Sequence, residues 1–186
     1  VLGTGLRIHV VEPVEGRHRR GISAPSFYAA FGSKEALFQE TVQRYLETYA
    51  QVTECLWDDA MPARDAVELA LRQSSKMQCE RGHPKGCMVA LGVMSAPTPE
   101  HADVTKPLTA SRQRTRAGFV HCVERGIASG ELSAATDARS LACVFDGFLV
   151  GVSTLARDGV RYPTFDAAIT QLMMVWDASR LSLIHI

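Results

Sequence analysis

The sequence has no excess charge of either sign: twenty Lys and Arg residues stand against twenty Asp and Glu in 186. No global field draws the chain to nucleic acid or to an acidic membrane, so any such binding has to be local and geometric. Cysteine is scarce. The five present (Cys55, Cys79, Cys87, Cys122 and Cys143) are an odd, scattered set without a CxxC pair. That excludes a disulfide framework and points to a reducing cytoplasm. Long apolar runs are missing too. The most apolar stretch, 141–156, contains Asp146 and falls short of the ~20 residues of a bilayer span, so no membrane partner is expected. The opening residues lack the apolar centre of a signal peptide. No strand-type alternation, Gly-rich phosphate loop or task-bearing pair of carboxylates is evident. What is there, 46% hydrophobic and 22% charged residues, is an ordinary globular composition. It suffices for one or two small domains with a real core.

The periodicities are helical throughout, and the fold class expected is all-α. Ser23 before "APSFYAAF" reads as an N-cap with Pro25 in the first turn, Gly32 ends that helix, and Ser33 caps the next. Phe38, Val42, Tyr45, Tyr49, Val52 and Leu56 then form one apolar stripe about five turns long. Pro62 restarts the chain, and Ala63, Val67, Ala70, Ser74 and Met77 continue a helical face. "ERGHPKG" (80–86) is a loop, followed by a short apolar segment at 87–95. A helix is expected after Pro107, with Leu108, Phe119, Val123 and Ile127 on one side and a solvated face of Arg112, Arg114 and Arg116 on the other. Residues 138–156 are apolar nearly all round, with Gly147 and Gly151 on one face as a notch for close helix approach. Phe165, Ile169, Leu172, Met173 and Trp176 mark a last amphipathic helix. The two C-terminal helices, with that notch and that stripe, are expected to form a homodimer interface.

Gly21-Ile22-Ser23, Phe27-Tyr28, Phe31, Ser33-Lys34-Glu35 and Leu37-Phe38 resemble, without a gap, the end of the helix-turn-helix of TetR/AcrR-family transcriptional regulators. "KGCMVALG" (85–92), "GELSAATDA" (130–138) and "GVSTLARDGV" (151–160) resemble that family's ligand-binding and dimerisation domain more loosely. The match covers most of 21–178. It implies a ligand-responsive, cytoplasmic repressor with operator DNA, a small-molecule effector and a second copy of itself as partners, and with no enzymatic activity. It divides the chain into a partial helix-turn-helix region with its connecting helix (21–57) and a helical regulatory domain (58–180), with a tail at 181–186.

The recognition helix would be 24–30. Small residues at its start keep it close to the major groove, so Ser23, Ala24, Pro25 and Ser26 are candidate DNA contacts. Tyr28 and Lys34 match family positions that contact phosphate, and Lys34 stands at a helix N-terminus whose partial positive charge would share the same phosphate. Residues 1–20, "VLGTGLRIHVVEPVEGRHRR", lack the helical pattern of the family's two preceding helices and are expected to be an aberrant or disordered leader, frame-shifted or wrongly joined. The alternative is a basic arm in which Arg17, Arg19 and Arg20 follow a minor groove.

Met77, Met88, Met94, Phe119, Phe145 and Phe148 are candidates for an apolar ligand pocket between helices; plain core packing is the alternative for each. Cys79, His83 and Cys87 are spaced four apart, but the Gly and Pro between them break a helix and no fourth ligand is evident, so no metal is expected. His121 and Cys122 are neighbours and point about 100° apart on a helix, too far for a nucleophile–base pair. No cofactor is expected. The competing function is a helical ligand-binding or cysteine-based redox-sensing module that does not touch DNA.

Overall fold

A computed structural model describes residues 24–94 and 102–180. The leader 1–20, Ser23 and the tail 181–186 lie outside the described residues. Among those described there are seven α-helices, one 3₁₀ segment and no strand. The first helix, α1, is Ala24–Phe31. Gly32 follows it at φ +71°, a left-handed conformation natural to glycine, and its N–H donates to the Tyr28 carbonyl at 2.9 Å. Ser33 then caps α2, Lys34–Glu47, its Oγ accepting from the Ala36 N–H at 3.0 Å.

The expected five-turn stripe does not stay in one helix. At Thr48 the backbone leaves helical geometry (φ −119°, ψ −83°), and a 3₁₀ segment runs from Tyr49 to Trp57. Two side chains make the break possible by satisfying carbonyls that α2 leaves open: Thr48 Oγ1 donates to Arg44 O and Gln51 Nε2 to Leu46 O, both at 2.7 Å. The tighter winding changes the phase of the stripe. Val42 and Leu56 are buried, whereas Tyr49 is 42% exposed.

α3, Ala63–Cys79, buries all five residues of its expected face. After the 80–86 loop comes α4, Met88–Met94. Gly86, which leads into it at φ +86°, passes so close to the backbone of Ser153 that a Cβ would stand 2.7 Å from its carbonyl oxygen. α5, Ala102–Ala128, begins earlier than expected and contains Pro107; so near the start of the helix the proline removes a single i−4 hydrogen bond. α6 is Ala138–Arg157, capped by Asp137, whose carboxylate accepts from the N–H groups of Arg139 and Ser140. At 20 residues, with a mean hydropathy of 1.4 over its most apolar 18, it is long and apolar enough to cross a bilayer by length and composition, more than 141–156 alone suggested. Its buried side chains, Leu141, Ala142, Phe145 and Leu149 among them, belong to the protein's core. α7 is Tyr162–Arg180.

That core lies among α3, α5, α6, α7 and the 3₁₀ segment, around Leu56, Leu71, Phe119, Phe145 and Trp176. The Phe145 ring centroid is 6.0 Å from Phe119 and 6.3 Å from Trp176, distances at which aromatic pairs attract beyond their buried area. This arrangement corrects two expectations. Phe119 and Phe145 are fully buried against their aromatic neighbours in the core and are absent from the lining of the cavity described below. Phe165, Ile169, Met173 and Trp176 do not face a partner, since all four are at most 2% exposed within the single chain, and Leu172 packs against the same core. Trp176 turns its Nε1–H to Glu131 Oε1 at 3.1 Å, so the indole is buried with its donor satisfied. On the outer side, Arg64 of α3 clasps Asp177 of α7 with two parallel hydrogen bonds of 2.9 and 3.0 Å, and Arg72 bridges Glu68 to Asp166.

The arginine face of α5 is not simply solvated either. Arg114 forks onto Glu54 and lies 4.9 Å over the Trp57 ring, and Arg116 Nε holds Asp146 at 2.7 Å.

Candidate functional site

Two regions carry the functional candidates. At the head, the turn at 31–34 joins α1 to α2, and its geometry follows from one glycine and one serine. Pro25, Ser26 and Tyr28 are exposed on α1, Tyr28 at 49%, and Lys34 is exposed in the first turn of α2. Ala24 opens α1, and nothing of its side chain is described. The structure thus brings Pro25, Ser26, Tyr28 and Lys34 to the surface of two short elements joined by a single capped turn. α2 is anchored below the turn by Val42 and Tyr45, which pack with Val89 of α4 and Leu108 of α5.

The second region is a cavity beside that anchorage. It is a small, half-open cavity of about 60 Å³, and it lies among the 3₁₀ segment, α3, α4, α5 and α6. Of the six residues expected in a pocket, only Met77 lines it. Met88 is half-buried against the α2 anchorage, Phe148 packs on the core, and the side chain of Met94 lies outside what is described. Sequence reasoning missed the polar half of the lining. Ser153 Oγ donates to Gln78 Oε1 at 2.7 Å, and Gln78 Nε2 donates to Ser74 Oγ at 3.2 Å. Thr53, Ser111, Arg112, Thr115 and Asp146 add to it. The available signal was polar residues sitting inside apolar helical faces, Ser74 in α3 and Asp146 and Ser153 in α6.

Between the regions stands a cluster around Tyr45. Its hydroxyl accepts from the Met88 N–H at 3.3 Å and lies 3.5 Å from Cys87 Sγ. Burial, with Cys87 beside it, pushes the phenol pKa up, so it stays protonated. His83 is buried against Tyr45 and Tyr49, ring centroids 5.7 and 4.5 Å away, and neither ring nitrogen has a hydrogen-bond partner. Burial lowers its pKa. Cys79, His83 and Cys87 do not gather; among the described residues no group of three His, Cys, Asp or Glu could hold a metal ion.

Two short helices joined by a capped turn, set on a helical bundle, are the architecture of a helix-turn-helix transcriptional regulator. No family model matches the sequence. Among curated proteins, the HTH-type transcriptional repressor BdcR of Escherichia coli (strain K12) is 35% identical over 75 residues, 40% of this chain and 38% of BdcR. The HTH-type transcriptional repressor ComR of the same organism is 26% identical over 159 residues, 83% of this chain and 70% of ComR. Among solved structures, a cysteine-substituted form of the TetR family transcriptional regulator CifR, complexed with 26-base-pair operator DNA, superposes with a TM-score of 0.71 at 35% identity, covering 83% of this chain and 81% of CifR. The chain belongs to the TetR family of transcriptional regulators.

Proposed function

We propose that this protein is a ligand-responsive repressor that binds operator DNA as a homodimer in the cytoplasm, with 21–57 as the DNA-binding part and 58–180 as the regulatory part. The observation that carries the reading is the capped turn at Gly32 and Ser33, which presents Ser26, Tyr28 and Lys34 within nine residues of chain. Tyr28 and Lys34 hold phosphates, and Ala24, Pro25 and Ser26 approach the base edges. The relatives carry the same theme: both curated proteins are named repressors, and the CifR structure contains operator DNA. A redox module without DNA contact has less behind it. Burial raises the thiol pKa of Cys55, Cys79 and Cys122, which makes those three poor thiolates.

The dimer uses the outer side of the C-terminal helices. Gly147 and Gly151 have nothing within 4 Å of a would-be Cβ, Val144 and Leu155 are exposed on the same helix, and Met174 and Val175 are exposed on α7. An apolar, notched face of this kind suits a self-complementary contact about a two-fold axis. The mechanism follows from the position of the cavity. Ala50, Val52 and Thr53 of its lining belong to the 3₁₀ segment that continues from α2. A ligand that fits one setting of that segment better than the other shifts the spacing of the two heads, and DNA affinity follows the population.

The test is a fluorescence-anisotropy titration of the full chain against a labelled duplex from the region upstream of its own gene, with unrelated duplex as competitor. Saturable binding that unrelated DNA displaces poorly is expected. Binding to both duplexes alike, or to neither, refutes the repressor reading.

A further inference from the structure

The cavity is unusual in its charge balance. Arg112 lines it, and its Nε is buried with no hydrogen-bond partner. A buried guanidinium N–H left unpaired is costly, because its water has been removed and nothing replaces it. Asp146 is the other charged residue in the lining, but its carboxylate is already engaged by Arg116 at 2.7 Å. The uncompensated charge of the cavity is therefore the positive charge of Arg112. The neutral polar groups point the same way. Ser153 Oγ donates to Gln78 Oε1 and Gln78 Nε2 donates to Ser74 Oγ, and Thr53 Oγ1 has both Thr115 Oγ1 and the Ala50 carbonyl oxygen at 3.4 Å. Among the buried polar side-chain atoms of this lining, Arg112 Nε is the one left without a partner. Met77, Val89, Ala90 and Leu149 supply an apolar wall.

We propose that the cavity binds a compact organic monoanion, a carboxylate on a short apolar or aromatic body, with Arg112 as the carboxylate-binding residue. A carboxylate supplies two acceptor oxygens in the planar geometry that a guanidinium matches. Its apolar body replaces solvent against the Met77 and Leu149 side of the chamber. The confined space selects against long acyl chains. This assignment rests on reading the cavity as the regulator's ligand site, but its test needs no DNA.

Benzoate and butanoate are the probes, with benzamide, butanamide and benzylamine as shape-matched controls, all at constant ionic strength. Binding is read by calorimetry and by the shift of the thermal midpoint of the full chain. Benzoate is expected to bind about tenfold or more tightly than benzamide, and octanoate more weakly than butanoate. Arg112→Gln should weaken benzoate by about tenfold while leaving benzamide within about twofold, and Arg112→Lys should recover part of the loss. If Arg112→Gln fails to fold, the comparison of ligands on the parent chain and on Arg112→Lys still decides. Equal binding of benzoate and benzamide, tighter binding of benzylamine, or no binding of either carboxylate overturns the proposal. Carboxylate binding in a chain that ignores its upstream DNA keeps the anion site and removes the repressor reading; sequence-specific DNA binding with no carboxylate preference does the reverse.

Discussion

The hydroxyl of Tyr45 accepts a hydrogen bond from the backbone N–H of Met88 at 3.3 Å, and so ties the last turn of α2 to the first residue of α4. The N–H groups of a helix start have no partner within their own helix. Here a side chain from the head region supplies one, in a cluster with Val42, Val89 and Leu108. The bond thus links α2 to the helix whose Val89 and Ala90 line the cavity. Tyr45→Phe keeps the ring and removes the acceptor. It should cost about 1–2 kcal/mol in urea denaturation and speed hydrogen exchange at the Met88 amide. Unchanged exchange there would show that the bond does not hold the two helices together.

Gly151→Glu tests the homodimer. Gly151 stands on the outer side of α6 with open space around a would-be Cβ, so the substitution leaves the protomer's own packing intact. In a dimer it places a charge and a bulky side chain into the contact between copies. Light scattering is expected to give a dimer for the parent and a monomer for Gly151→Glu, with the helical content of both alike. A monomeric parent removes the dimer from the mechanism.

Much of this fold was legible because helical periodicity reports burial, and burial is what the sequence had to arrange. The five residues expected on the face of α3 are all buried, with Ala66, Leu71, Ser75 and Gln78 beside them, and the Gly32–Ser33 turn followed from the conformational freedom of one residue and the capping oxygen of the next. What periodicity cannot say is which neighbour covers an apolar stripe. Phe165, Ile169, Met173 and Trp176 read the same whether they face a partner or their own core, and the structure places them in the core. The break at Thr48 was hidden for a related reason. The apolar residues continue on both sides of it at helical spacing, while the side chains that make it possible, Thr48 and Gln51, are ordinary polar residues. The cavity's polar lining was missed because Gln78, Arg112 and Ser153 come from three separate helices, and only their meeting gives them meaning.

The division of labour at the head is also open to measurement. Lys34 is an exposed point charge at the start of α2, suited to phosphate. Lys34→Ala should weaken binding to all duplexes similarly and lower the salt slope by about one. Ser26→Ala should change preference among sequences more than overall affinity. The two are compared by anisotropy over a range of salt concentrations. A changed sequence preference in Lys34→Ala, with its salt slope intact, would exchange the two roles.

His83 makes stability depend on pH in a definite direction. It is 7% exposed, wedged against Tyr45 and Tyr49 beside the break that joins α2 to the 3₁₀ segment, with no partner for either ring nitrogen. Burial is the largest influence on its pKa and lowers it; the Pro84 backbone and Glu80 pull the other way, and Lys85 adds to the lowering. The unfolded chain has an ordinary imidazole, with a pKa of about 6.5. As pH falls through that value, the unfolded state takes up a proton that the folded state refuses, so unfolding becomes easier. The contribution of His83 is present above the unfolded pKa and is lost between it and the lower folded value. Thermal midpoints should therefore fall from pH 7.5 to pH 5.5. His83→Leu, which keeps an apolar group of similar size between the tyrosines, should flatten that part of the profile. Carboxylates such as Asp177, held low by the Arg64 fork, change only at more acidic pH and serve as an internal reference. A His83→Leu profile as steep as the parent's between pH 7.5 and 5.5 would assign the dependence to another group.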